Sequence, residues 1–117
     1  MFKFEELDVW QEAVGYSDEI YRTTATFPAD ERFGLTQQLR RSAVSIAANI
    51  AEGSSRSSST DFARFVEIAY GSLMETVSHL AIASRQGFVS DEAYKSLYDH
   101  AEQIGRMLSS FRQTLRS

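Results

Sequence analysis

The 117-residue sequence contains no cysteine, which removes disulfides, thiolate nucleophiles and cysteine-based metal sites from consideration. That absence fits a reducing compartment. Pro28 is the single proline, so long helices are permitted almost everywhere else. No apolar run approaches the roughly 18 residues of a membrane span. The start of the chain carries Glu5, Glu6 and Asp8 where an export signal would be basic and then apolar. Alternating β-branched runs between turn dipeptides are missing as well, which argues against strands. A cytoplasmic protein with no membrane partner is therefore expected. What is present is an ordinary globular composition, 43% hydrophobic and 24% charged, in a length that suits one domain over residues 1–117.

The formal charge of −4 is unevenly distributed. Residues 1–31 carry eight acids against Lys3 and Arg22, whereas residues 32–66 carry five arginines against Glu52 and Asp61. Residues 67–105 are acidic again, and the last stretch holds Arg106, Arg112 and Arg116. A locally basic segment can mark a nucleic-acid surface, but the net charge repels a polyanion at long range. Complementary pairing of the acidic first and basic second helices, within or between subunits, accounts for the pattern more economically.

Apolar residues recur at helical spacing in four segments, expected at about 6–25, 35–55, 60–86 and 91–115. In the first, Leu7, Val9, Trp10, Ala13, Val14, Ile20 and Tyr21 share half of the wheel, and Phe27-Pro28 ends the helix. Phe27 and Phe33 bracket the connection that follows and are expected to plug the end of the domain. In the second, Leu35, Leu39, Ala43, Ile46 and Ile50 form the core stripe. The segment GSSRSSST then reads as a breaker, with Ser58 or Ser59 capping the third helix. Phe62, Phe65, Val66, Ala69, Leu73, Val77 and Leu80 line that helix until Gly87 stops it, and Phe88 can fold back on its last turn. Ser90, Asp91 and Glu92 open the fourth, whose seam runs Tyr94, Leu97, Ala101, Ile104, Leu108, Phe111 and Leu115. Four such helices on short links predict an all-α, antiparallel up-down four-helix bundle.

Two features exceed what one bundle core requires. Val44 and Ala48 extend the apolar arc of the second helix, and Ile68 and Ile82 lie away from the core stripe of the third, on the side of Ser72, Glu75 and His79. Second apolar faces of this kind mark partner surfaces. Gly15, Gly71 and Gly105 lie inside helices, where each costs roughly 1 kcal/mol relative to alanine. Close backbone approach at packing contacts would offset that, so a homo-oligomer is expected.

Candidate chemistry is sparse. Glu75 and His79 are one turn apart and His100 is flanked by Asp99 and Glu102, but no spacing supplies three or four converging metal ligands. A plain His–Glu pair is the favoured reading. GSSRSSST lacks the ending of a P-loop, and a capping turn is favoured over an anion site. A polar stripe remains on the second helix: Gln38, Arg41, Ser45, Asn49, Glu52 and Arg56, with Arg40 alongside. Two readings are open. Arg40, Arg41 and Arg56 contact phosphates, or Arg41, Asn49, Glu52 and Arg56 build a hydrogen-bonded seam between helices or subunits. The residue types favour the seam. Neither reading needs a cofactor or a catalytic group.

Several blocks resemble a known family: Phe4-x-x-Leu7-x-Val9-Trp10-Gln11-x-Ala13; Phe27-Pro28-x-x-Glu31-x-Phe33-Gly34-Leu35; Gln38-x-Arg40-Arg41-x-Ala43-Val44-Ser45-Ile46-x-x-Asn49-Ile50-Ala51-Glu52-Gly53; and Phe62-x-x-Phe65-x-x-Ile68-Ala69-x-Gly71-Ser72-Leu73-x-Glu75. They resemble the four-helix-bundle proteins encoded in intervening sequences of bacterial large-subunit rRNA genes, over almost the whole chain. The resemblance implies a homopentameric bundle without enzymatic activity. The family is also similar to the accessory variability protein of diversity-generating retroelements, a basic pentamer that binds nucleic acid and reverse transcriptase. The present chain departs from it in being acidic. RNA contact, if made, would fall to Arg40, Arg41 and Arg56.

Overall fold

A computed structural model describes all 117 residues. After a single 3-10 turn at Lys3–Glu6 come α1 (Asp8–Thr24), a second short 3-10 turn, α2 (Leu35–Ser54), α3 (Ser59–Arg85) and α4 (Asp91–Arg116). Neighbours in sequence pack side by side, and α1 closes the square against α4. The result is the expected antiparallel up-down bundle, a rod 43 Å long and 22 by 21 Å across.

Local chemistry sets the helix ends. Ser58 Oγ accepts from the Asp61 amide at 3.1 Å and Ser90 Oγ accepts from the Ala93 amide at 3.1 Å, so hydroxyls cap α3 and α4. Gly87 takes φ +79°, the left-handed geometry that lets the Phe88 amide reach back to the Ala83 carbonyl at 3.0 Å. α1 stops at Thr24, earlier than the proline alone requires. Thr24 Oγ1 donates to the Ile20 carbonyl at 2.7 Å, and Thr26 Oγ1 to the Thr23 carbonyl at 2.9 Å. Such hydroxyls compete with the helical amides for those acceptors.

The core is one apolar column. Ala13, Tyr16 and Ile20 of α1, Leu39, Ala43, Ile46 and Ile50 of α2, Val66, Ala69 and Leu73 of α3, and Ile104 and Leu108 of α4 are fully buried. Trp10 meets Phe4 edge-on at 5.0 Å and holds the N-terminal turn against this column. At the opposite end Phe27 is buried on Phe88, with ring centroids 5.6 Å apart. Phe33 does not join it and is 76% exposed, contrary to expectation. Phe27 and Phe88 already fill the end, and Phe33 instead lies under the Arg32 guanidinium, 5.0 Å from its ring.

The helical glycines divide into kinds that the sequence does not distinguish. A Cβ on Gly53 would lie 2.7 Å from Phe65 Cβ and 2.8 Å from Phe62 Cδ1, so the end of α2 approaches α3 more closely than alanine permits. Gly105 has only ordinary contacts, with Leu73 and Tyr70, and nothing in the chain approaches Gly15 or Gly71. Close packing inside the bundle therefore does not explain those two.

Two stability measurements follow from these contacts. Gly53→Ala is expected to lower stability by about 1–3 kcal/mol, the scale of overpacking, although alanine is the better helix former. A thermal melt by circular dichroism reads the loss; an unchanged midpoint would refute the close approach. The Tyr16 hydroxyl is buried without a hydrogen-bond partner. Because such a group costs about 1–3 kcal/mol to bury, Tyr16→Phe is expected to raise the midpoint, and a clear fall would refute that.

Candidate functional site

The stripe read from α2 breaks into three parts. Its middle is turned into the bundle. Ser45 Oγ lies 2.9 Å from Ser72 Oγ of α3, and Asn49 Nδ2 donates to the Ser45 carbonyl at 2.8 Å and to its hydroxyl at 3.0 Å. One turn away, Thr76 Oγ1 lies 2.8 Å from both Ser42 Oγ and the Ser72 carbonyl oxygen. Small hydroxyl side chains thus form a hydrogen-bonded seam where α2 and α3 meet, satisfying groups whose burial would otherwise be unfavourable. Ser42 and Thr76 belong to it, although the sequence reading did not single them out.

The C-terminal part is self-contained. Arg56 Nη2 pairs with Glu52 Oε1 at 3.3 Å, and its guanidinium lies 4.5 Å from the centre of the Phe65 ring. Arg40 and Arg41 sit about 20 Å along the helix axis from its end at Ser54, given a rise of 1.5 Å per residue. The three arginines do not form one patch within a single chain.

The N-terminal part is a cleft of about 330 Å³ between the end of α1 and the start of α2, lined by Tyr21, Arg32, Phe33, Arg40, Arg41 and Val44 among others. Arg40 Nε donates to Thr24 Oγ1 at 2.9 Å and Nη2 to the Tyr21 carbonyl at 3.4 Å, which lays the guanidinium 4.5 Å from the centre of the Tyr21 ring. Arg41 is exposed and also borders a polar groove with Gln38, Ser45 and Glu75. None of Arg32, Arg40 and Arg41 pairs with a carboxylate. Arg32 was not recognised as a site residue in the sequence, and Tyr21 and Phe33 were assigned there to the apolar face of the first helix and to the end plug. The signal available was arginine next to an aromatic residue at the start of a locally basic segment.

The outer face of α2 and α3 carries the residues read as a subunit surface. Val44, Ile68 and Ile82 are 44%, 47% and 47% exposed, and Ala48 and Glu75 are exposed beside them. Glu75 Oε2 contacts His79 Nε2 at 3.3 Å, the one-turn pair anticipated from spacing.

His100 behaves differently from its sequence neighbourhood. Its partners are not Asp99 and Glu102 but two carboxylates of α1: Nε2 lies 2.8 Å from Glu12 Oε1, and Nδ1 meets Glu19 Oε2. Each ring nitrogen facing a carboxylate must carry a proton, so the arrangement calls for imidazolium. Burial alone would push its pKa down, but the hydrogen bonds it donates to Glu12 and Glu19, and their charge, outweigh burial and raise it above the ordinary histidine value. The ring stands edge-on to Tyr16, 5.3 Å between centres. Burial, with Glu19 and Tyr94 adding to it, pushes the Tyr16 hydroxyl far above the usual tyrosine range. The two ring nitrogens point apart, so Glu12, Glu19 and His100 do not converge on one point, and no group of three or more acidic or histidine side chains is placed to hold a metal ion.

A rod of four antiparallel amphipathic helices, with a hydroxyl seam inside and an arginine–aromatic cleft at one end, is a four-helix-bundle protein. The chain belongs to the 23S rRNA-intervening sequence protein family, whose model matches residues 5–110. It is similar to the crystal structure of a protein with unknown function from the S23 ribosomal protein family of Bacteroides thetaiotaomicron, at 26% identity and a TM-score of 0.79. That match covers 89% of this chain and 97% of the other. No curated protein matches the chain. No helix is long and apolar enough to cross a membrane.

The His100 contacts make stability depend on pH. A pKa raised on folding contributes fully below the unfolded value, near 6.5, and fades as pH rises through the folded value. His100→Gln is expected to lower stability by about 1 kcal/mol at low ionic strength near pH 6, the scale of a part-exposed pair. The gap to the native chain should narrow well above the folded pKa. Paired melts across pH test this; a pH-independent gap would overturn the charged form.

Proposed function

We propose that the chain is a non-enzymatic, cytoplasmic scaffold that assembles with copies of itself through the outer face of α2 and α3 and touches RNA through arginines of α2. The observation that carries the assembly is the stripe Ile68, Gly71, Glu75 and Ile82, all exposed and all on one side of α3. An exposed mid-helix glycine is unfavourable in an isolated bundle, and isoleucines aligned on one exposed stripe form an apolar patch of the kind that partners cover. A neighbouring subunit that covered them would reverse both effects, burying the isoleucines and using the missing Cβ for close approach. Ala48 of α2 extends the same surface, while Val44 stands at its edge and borders the cleft beside Arg40. A homopentamer is the assembly that the family resemblance implies.

The non-enzymatic reading rests on the state of the polar groups. The serines of the α2–α3 seam bond to one another, to Thr76 or to carbonyls, and both His100 nitrogens are taken by carboxylates. Tyr16 holds its proton far above neutral pH. None of these is a nucleophile beside a free base. For RNA contact the support is local: the basic segment holding Arg32, Arg40 and Arg41 offsets an otherwise acidic molecule. A second reading, a protein-partner module with no nucleic-acid contact, draws on Arg56, whose charge Glu52 already engages.

Light scattering coupled to gel filtration tests the assembly. The native chain should run as several subunits, and Ile68→Glu with Ile82→Glu should release folded monomers, because a carboxylate buried without a partner costs several kcal/mol. A monomeric native chain, or a double variant of native size, would overturn the proposal.

A further inference from the structure

We propose that the cleft between the end of α1 and the start of α2 holds one unpaired nucleotide of a single strand, its base stacked on Phe33 and its phosphate held by Arg32 and Arg41. The inference rests on the reading that the chain contacts nucleic acid, and gives that contact a place and a chemistry. Phe33 is the first reason. At 76% exposure it is the most exposed aromatic ring of the chain, and it lies on the surface although a buried end position was occupied by Phe27 a short distance away in sequence. One face is covered by Arg32, whose guanidinium lies 5.0 Å from the ring centre. The exposure leaves room for a second flat group, which would complete an arginine–ring–base stack.

The second reason is the charge around the ring. Arg32, Arg40 and Arg41 line the same cleft of about 330 Å³. None has a carboxylate partner, a state shared with Arg22, Arg85 and Arg106, but Arg32, Arg40 and Arg41 stand together in one cleft. Arg40 is fixed by Thr24 and the Tyr21 carbonyl and lies over the Tyr21 ring, so Tyr21 offers a second surface of the same composition. An apolar partner surface would have to desolvate Arg32 and Arg41 with nothing to answer their charge. A nucleotide brings both the flat ring and the anion. In a duplex the base faces are covered by their neighbours, so the occupant is an unpaired one.

Fluorescence anisotropy with labelled twelve-nucleotide strands at low salt tests the proposal, in three arms: single-stranded RNA, single-stranded DNA of the same sequence, and the RNA duplex. Both single strands should bind more tightly than the duplex, and preference between them identifies whether the 2′-hydroxyl is read. Phe33→Ala should weaken single-strand binding by about tenfold, the scale of one lost stacking contact. Phe33→Leu, which keeps apolar bulk without a π-face, should weaken it comparably. Arg32→Ala with Arg41→Ala should weaken binding and flatten its salt dependence, whereas Arg56→Ala should stay within about twofold of native, because no phosphate contact is lost. If the native chain binds and both Phe33 variants bind equally well, the cleft is overturned and the broader RNA reading stands. If the native chain binds neither strand nor duplex, both fall. If Phe33→Ala changes assembly size and leaves affinity intact, Phe33 is a subunit contact and the proposal is overturned.

Discussion

The closeness of α2 to α3 governs the remainder of the bundle. Gly53 lets the end of α2 approach Phe62 and Phe65, and Ser42, Ala43 and Ser45 keep the contact thin along the rest of its length. Helices that pack on small residues bring their axes together, and the larger side chains are displaced to the flanks. Leu39, Ile46 and Ile50 go inward to the column shared with α1 and α4, while Val44, Ile68 and Ile82 are left on the outside. The hydroxyls of Ser42, Ser45, Ser72 and Thr76 are the complement of that geometry, since short side chains at a close contact can bond across it without long reach. The close contact and the exposed apolar residues thus lie on the same pair of helices, one between them and the other on their outer face.

Closure of the square depends on a different kind of contact. α1 is strongly acidic, and two of its carboxylates, Glu12 and Glu19, lie two turns apart on the face that meets α4. His100 bridges them. A charged pair on α1 without the histidine would place like charges beside a half-buried surface, so the residue neutralises a repulsion as well as forming bonds. Farther along α4, Glu67 of α3 receives Arg112 at 3.6 Å and Arg116 at 2.9 Å. Ion pairs therefore join α4 to α1 and to α3, whereas the expected pairing of the acidic first helix with the basic second does not occur within the chain.

What was legible in the sequence was local. Ser58, Ser90 and Gly87 act within a few residues of themselves, and the core stripes follow from a repeat fixed by helix geometry. Contacts between distant segments were not legible to the same degree. Glu12 and Glu19 lie 88 and 81 residues from His100, and only the register of two antiparallel helices sets them opposite its ring. Phe33 was misread because composition says that an aromatic residue beside a loop prefers burial, but not which of two phenylalanines obtains the single place available. Arg40, Arg41 and Arg56 were grouped by their charge, which carries no information on their separation along or around the helix. Asn49 belongs to the same polar stripe as Arg41 yet bonds to its own helix, since Ser45 lies within reach one turn back.

Trp10 is the only tryptophan of the chain, and its edge contact with Phe4 ties it to the N-terminal turn. It lies about 16 Å along α1 from Tyr21, one wall of the cleft at the other end of the rod. Intrinsic fluorescence of this protein is therefore an optical report on the docking of its first residues. Emission will register loosening of the N-terminal turn while leaving events at the arginine-rich end dark.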